Sequence, residues 1–225
     1  MEKIYTIPVN DAFNEPDGCP FCKMYDTLEK NELDIMLGAA MMEPAIRIET
    51  NKKGFCRDHY EKMFTMKNRL SLALVIESHL DEVLKGISHA PILKDKFTSA
   101  REYLDTHTKS CYVCDRIENN FSKMIECTCI LWESDEEFRA KFEKTPYFCI
   151  HHYERMLKVA NLYISKKKRS DFYKAASAIE NAYVQTLKDD ISWFCKKFDY
   201  RYDSEPWGNS KDAVERAIKT MYHKD

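Results

Sequence analysis

Apolar residues recur at helical intervals along most of this chain, and the strict alternation of a half-buried strand is almost absent. Met24, Leu28, Leu33, Ile35, Met36 and Leu37 predict a helix from Cys22 to about Met42, ended by Pro44. Glu43–Gly54 then reads as a return loop. Tyr60, Met63, Leu70, Leu74 and Leu84 predict a long helix from Arg57 to about Lys85, stopped by Gly86 in a left-handed turn with Pro91 beyond. A shorter helix covers about Asp95–His107. Another covers about Asp115–Trp132, followed by an acidic turn at Glu133–Glu137 and a short helical piece. A helix from the Cys149 segment to about Ser165 leads to a basic joint, Lys166–Arg169, with Ser170 as a cap for the next helix. In that next helix Phe172, Ala176, Ile179, Tyr183, Leu187, Ile191, Phe194 and Phe198 form a continuous apolar stripe. A turn at Pro206–Gly208 and a last helix to about His223 complete the chain. Residues 1–17, interrupted by Pro8 and Pro16, read as irregular. The predicted fold class is all-α.

One pattern occurs twice. GCPFC at 18–22 is followed by GFCRDHYEKM at 54–63, and SCYVC at 110–114 is followed by YFCIHHYERM at 147–156. The second Cys of each C-x-x-C pair precedes the next Cys by 34 residues in one copy and 35 in the other. Two pseudo-repeated helical units are therefore expected, spanning 1–92 and 93–225. A C-x-x-C bend presents two sulfurs together, and a C-x-x-H at a helix start places its ligands on one face. Neither half fills a tetrahedral site alone. If a helix leads out and a loop back, each copy closes on itself, which predicts one site from Cys19, Cys22, Cys56 and His59 and another from Cys111, Cys114, Cys149 and His152. Aligning FCRDHYEKM on FCIHHYERM matches His59 to His152 and places His151 opposite Asp58. Gly18 and Gly54, beside the ligand turns, allow backbone N–H groups to approach sulfur closely.

Three thiolates and an imidazole suit zinc, and two structural zinc ions are the cofactors expected. Haem attachment requires His directly after C-x-x-C, whereas Lys23 and Asp115 stand there. A redox pair of the thioredoxin kind belongs in a βαβ context that this pattern lacks, and an iron–sulfur cluster prefers four cysteines. A catalytic zinc keeps one position for water, but both sets are complete. Glu61 and Glu154, two residues past each His, read as solvated helix positions. No catalytic residue and no further cofactor are assigned, and an enzyme is not the expected class.

Composition narrows the setting. The chain has 225 residues, 44% hydrophobic, with only five glycines and a net charge of −2, so a packed helical core is expected and a general affinity for nucleic acid is not. Nine cysteines without a recognisable leader argue for a reducing, cytoplasmic setting, and no apolar run reaches the roughly 20 residues that span a bilayer. Cys127, Cys129 and Cys195 read as core. Lys166–Arg169 reads as a solvated turn. The rings of Trp193, Phe194, Phe198, Tyr200, Tyr202 and Trp207 read as packing around the closing helix. Arg47 and Arg139 read as ties for the segments that return to each C-x-x-H, while His79, His89 and His107 show no partner spacing.

IPVNDAF at 7–13, GCPFC, EPAIRIETNKKGFC at 43–56 and the tail FDYRYDSEPWGNSKDAVERAI at 198–218 resemble an uncharacterised bacterial family of helical proteins with tandem CPxC…GFCxxH units. In the second unit Tyr112-Val113 stands where the family has proline. The resemblance implies a cytoplasmic bacterial protein and supplies no catalytic residue. The expected role is a zinc-stabilised module that binds a protein partner. The rivals are thiol-redox or metal-sensing chemistry at the second site, using Cys127, Cys129 or His151, and nucleic-acid binding through the zinc units and the basic joint.

Overall fold

The computed structural model describes residues 3–15, 17–88 and 95–221. Among these there are eleven α-helices, a few 3-10 turns and no strand. Pro16, His89, Pro91 and His223 fall outside the described residues.

Proline stands in the first turn of several helices, including Pro8 and Pro44, which the sequence pattern places outside helix. Helix α1 (Thr6–Asn14) carries Pro8 in its first turn, and α2 (Pro20–Leu37) and α3 (Pro44–Lys53) each start on proline. The first turn has no intrahelical use for its N–H groups, so a missing donor costs nothing there and the fixed φ favours the start. The segment 43–54 is thus mostly helix rather than a loop, and residues 3–14 are helical. The long helix expected from Arg57 is two, α4 (Arg57–Thr65) and α5 (Arg69–Ser88). Asn68 makes the break: its Oδ1 accepts from Ser71 N–H at 3.2 Å, and its Nδ2 donates to the Leu37 carbonyl at 2.7 Å. Gly86 lies inside α5 with ordinary helical φ and is not a stop. A Cβ there would come within 2.3 Å of the Tyr103 ring, so close packing of α6 (Lys96–His107) explains the glycine.

The remaining helices are α7 (Tyr112–Ser134), α8 (Glu136–Phe142), α9 (Ile150–Tyr163), α10 (Arg169–Lys196) and α11 (Ala213–Met221). Asp95 caps α6 and Asp135 caps α8 through their carboxylates, whereas Ser170 sits inside α10 and caps nothing. The repeat is visible in element order, with α2, α3, then α4 and α5 matched by α7, α8, then α9 and α10. Arg47 of α3 donates to the Leu74 carbonyl at 2.8 Å and to Ser78 Oγ, and Arg139 of α8 donates to the Trp132 carbonyl at 2.8 Å, so both arginines tie down the returning helix.

The compact units do not follow the repeat. One comprises Met1–Asp26 with Phe121–Asp225, and the other comprises Thr27–Asn120, rather than 1–92 and 93–225. The boundaries fall inside α2 and α7. They follow instead which motif halves pack together. The first unit has an aromatic core: Phe13 meets Phe21 edge-on at 5.9 Å, Phe142 meets Phe148 at 5.3 Å, and Trp132 stands edge-on to Phe172 at 5.0 Å. On α10, Phe172, Ala176 and Leu187 are buried, but the stripe thins toward its end, where Phe198 is 76% exposed. Cys195, expected in the core, is exposed. The second unit packs α5 against α3 and α6, with Met63, Leu72 and Val75 buried.

Candidate metal centres

All four motif halves sit at helix N-termini. Cys56 is the N-cap of α4 and Cys149 the N-cap of α9, while Cys19 and Cys111 directly precede α2 and α7. The second ligand of each half, Cys22, His59, Cys114 or His152, then falls in the first helical turn, facing back toward the cap. The 3.5 Å approach of Cys114 N–H to Cys111 Sγ is a sulfur version of an N-cap bond. Positive helix ends favour thiolates at these positions.

The eight ligand candidates gather into two quartets, but with partners exchanged between the repeats. Cys19 and Cys22 join Cys149 and His152, and Cys56 and His59 join Cys111 and Cys114. The expected sites, Cys19/Cys22 with Cys56/His59 and Cys111/Cys114 with Cys149/His152, are corrected accordingly. The segment 43–54 is mostly helix and not a flexible loop, so the path from α2 to Cys56 is fixed, and Cys56 and His59 meet Cys111 and Cys114. Each quartet lies wholly within one compact unit, which is why the units cut across the repeat.

The spacing suits a tetrahedral ion. With Zn–S of about 2.3 Å and Zn–N of about 2.0–2.1 Å, a tetrahedron has S···S edges of about 3.8 Å and S···N edges of about 3.6 Å. In the first unit Cys22 Sγ lies 3.6 Å from Cys149 Sγ and 3.4 Å from His152 Nδ1, and Cys149 Sγ lies 3.1 Å from that nitrogen. In the second, Cys56 Sγ lies 3.8 Å from Cys114 Sγ, and His59 Nδ1 lies 3.2 Å from Cys56 Sγ and Cys111 Sγ and 3.5 Å from Cys114 Sγ. These separations are far too long for disulfides. Each group could hold a metal ion, with both histidines using Nδ1.

Packed sulfurs divide their protons unequally. Burial alone would raise the Cys19 thiol, yet hydrogen bonds from Cys149 and Cys22 hold it well below its usual range. Cys22 is pushed up by its hydrogen bonds to Cys149 and Cys19. In the other quartet the hydrogen bond from Cys114 draws Cys111 down to about 3, and the same bond pushes Cys114 up. Without an ion each quartet therefore keeps protons that a cation would displace, and binding weakens in acid.

The surroundings of the two centres differ. His59 Nε2 lies 3.2 Å from Glu29 Oε1, and Lys62 bonds the other oxygen of that carboxylate, the arrangement that fixes a metal-ligating imidazole. His152 instead stands among rings, 5.1 Å from Phe121 and 6.0 Å from Phe21. Glu29 carries no motif spacing, so only the packed α2–α4 pair reveals it. Behind Cys149, the buried Glu180 accepts from Phe148 N–H at 3.2 Å, and its other oxygen has no hydrogen-bond partner among the described residues.

Burial pushes the Glu180 carboxyl up to about 7 against the pull of that N–H, with Cys149 adding to the rise. Its folded value thus exceeds the unfolded one, so stability is full below about pH 4.5 and is lost as pH rises through about 7. Glu180→Gln keeps the acceptor and removes the titration. In chemical melts of equally metal-loaded proteins, the variant should gain on the wild type by about 2 kcal/mol between pH 5.5 and 7.5 and no further above. A constant gap would contradict this.

Other residues resolve plainly. Cys127 and Cys129 are buried in α7, outside both quartets, and burial raises both thiols, Cys129 to about 12. His151 is exposed, and neither Glu61 nor Glu154 reaches a quartet, each pairing with a base one turn along its own helix. Lys168 and Arg169 donate to the Glu133 and Ile164 carbonyls, which commits half of the basic joint to the fold. No helix among the described residues is long and apolar enough to cross a membrane.

No match was found among curated proteins or solved structures. A family model described as a family of unknown function, DUF6062, matches residues 1–225. With all eight ligand candidates inside the match, the chain belongs to that family of unknown function.

Proposed function

We propose that the chain is a non-catalytic binding module whose helices are held by two structural zinc ions. The observation that carries this reading is the closure of both quartets. Three sulfurs and one nitrogen at tetrahedral spacing fill every position that a catalytic zinc would leave to water. A soft, sulfur-rich tetrahedral set favours zinc over harder cations. Such a site contributes on the order of 10–16 kcal/mol in small peptides, so removing the ion should unravel the helices that it joins. Elemental analysis is expected to give two zinc ions per chain, and chelation to lower both helicity and melting temperature. Unchanged circular dichroism after complete metal removal would contradict a structural role.

Another protein is the partner class expected in this reading. Just past α10, Phe198 and Tyr200 are 76% and 88% exposed, and Phe198 lies beside the rings of Phe194 and Trp207. Purified from its natural source without overexpression, the protein should elute in a larger particle. Elution at the 26.6 kDa of the single chain would count against a stable partner. The raised thiols of Cys127 and Cys129 speak against redox chemistry, and the committed cations of the joint against nucleic acid.

A further inference from the structure

The compact unit formed by Thr27–Asn120 contains a groove of about 960 Å³ beside its metal quartet, bordered by α4, α5 and the end of α6. Its size lies at the upper end of the range for small-molecule sites. Phe55, Tyr60, Leu72, Ile76, Leu80 and Val83 supply the walls. Leu80 and the neighbouring Phe64 are 54% and 56% exposed, an apolar surface left facing water.

The floor is polar and built. His79, only 6% exposed, lines the groove, and its Nδ1 lies 2.8 Å from the Asn51 carbonyl. A carbonyl only accepts, so Nδ1 carries a proton, and the tautomer with that single proton offers a lone pair on Nε2. That nitrogen has no hydrogen-bond partner among the described residues. His107 stacks on His79 with centroids 4.8 Å apart, and Tyr103 stacks on His107 at 5.4 Å, so the imidazole is held in place. Burial, then the neighbouring His79, lowers the His107 pKa and so disfavours its charged form. At the rim Arg57 is neutralised by Glu61 at 2.7 Å. The two rim charges thus cancel.

We propose that this groove binds a small, flat, uncharged and largely apolar molecule of the phenol or indole class, whose single O–H or N–H donates to His79 Nε2. A protein segment laid over the walls would cover Leu80 and Phe64 but would reach His79 only by inserting a side chain, whereas a small phenol or indole enters whole. The inference rests on the zinc reading only in that the quartet holds α4 against the start of α7.

The test uses the full chain with its zinc content measured first, so that failure of the metal reading appears as missing zinc rather than as missing binding. Calorimetric titration with 1-naphthol should show saturable one-to-one binding, at least tenfold tighter than 1-methoxynaphthalene, which lacks the donor. Leu80→Glu, at an exposed wall position, should weaken 1-naphthol at least tenfold while zinc content and circular dichroism stay unchanged. No binding up to the solubility limit, equal affinity for the ether, or undiminished binding by Leu80→Glu would overturn the proposal. So would concentration-dependent dimerisation abolished by Leu80→Glu, which would assign the groove to a second copy of the chain.

Discussion

Cys19→Ser combined with Cys149→Ser should leave one zinc per chain, whereas Cys19→Ser combined with Cys56→Ser should leave none. The first pair damages one quartet twice, and the second damages each quartet once. A three-ligand remnant holds zinc weakly, so the count is made against a competing chelator mild enough to leave the wild-type sites loaded. The same logic governs stability. Effects of Cys19→Ser and Cys149→Ser should be strongly non-additive, because the second substitution finds the ion already gone. Cys19→Ser and Cys56→Ser should add. If each repeat closed on itself, both patterns would reverse.

Gly54→Ala is expected to be the most damaging single substitution outside the ligands. The residue has φ 65° and ψ −160°, a region open essentially to glycine, and side chains held there cost about 1–3 kcal/mol. A Cβ would also stand 2.7 Å from both Cε1 and Nε2 of His79 and 3.3 Å from His107. His79 cannot retreat, being fixed by the Asn51 carbonyl and the ring stack. The Gly54 carbonyl moreover accepts from Tyr112 N–H at 2.9 Å, joining the Cys56 turn to the start of α7. Strain and overpacking together should cost about 3–5 kcal/mol in denaturant melts. Gly18 is the control. Its φ is 72°, but the nearest atom to a new Cβ is Lys23 Cε at 3.5 Å, so Gly18→Ala should cost only about 1–2 kcal/mol. Equal losses at the two positions would show that contact with the imidazoles is unimportant.

The helical class and the eight ligand candidates are legible in the sequence because both rest on local spacing. A 3.6-residue apolar period and an i, i+3 ligand pair declare themselves within one or two turns. Pairing does not, since the repeat makes either C-x-x-C chemically equivalent for either C-x-x-H. The choice rests on whether 43–54 is loop or helix, and Pro44 begins a helix there rather than ending one. Pro8 likewise sits in the first turn of a helix. Gly86 resembles a helix stop, but its cause is the Tyr103 ring 17 residues away, which no local rule contains. Glu29 behind His59 and the stacking of His79 on His107 are likewise products of packing. Cys195, on a helix whose stripe thins toward its end, shows that periodicity marks a face without saying how far along a helix that face stays covered.

The exchange of motif halves is tested most directly by NMR of protein loaded with a spin-active cadmium isotope, correlating each metal signal with the β protons of its cysteines. One signal should couple to Cys19, Cys22 and Cys149, and the other to Cys56, Cys111 and Cys114. A single cadmium coupled to Cys19, Cys22 and Cys56 would contradict the exchanged pairing.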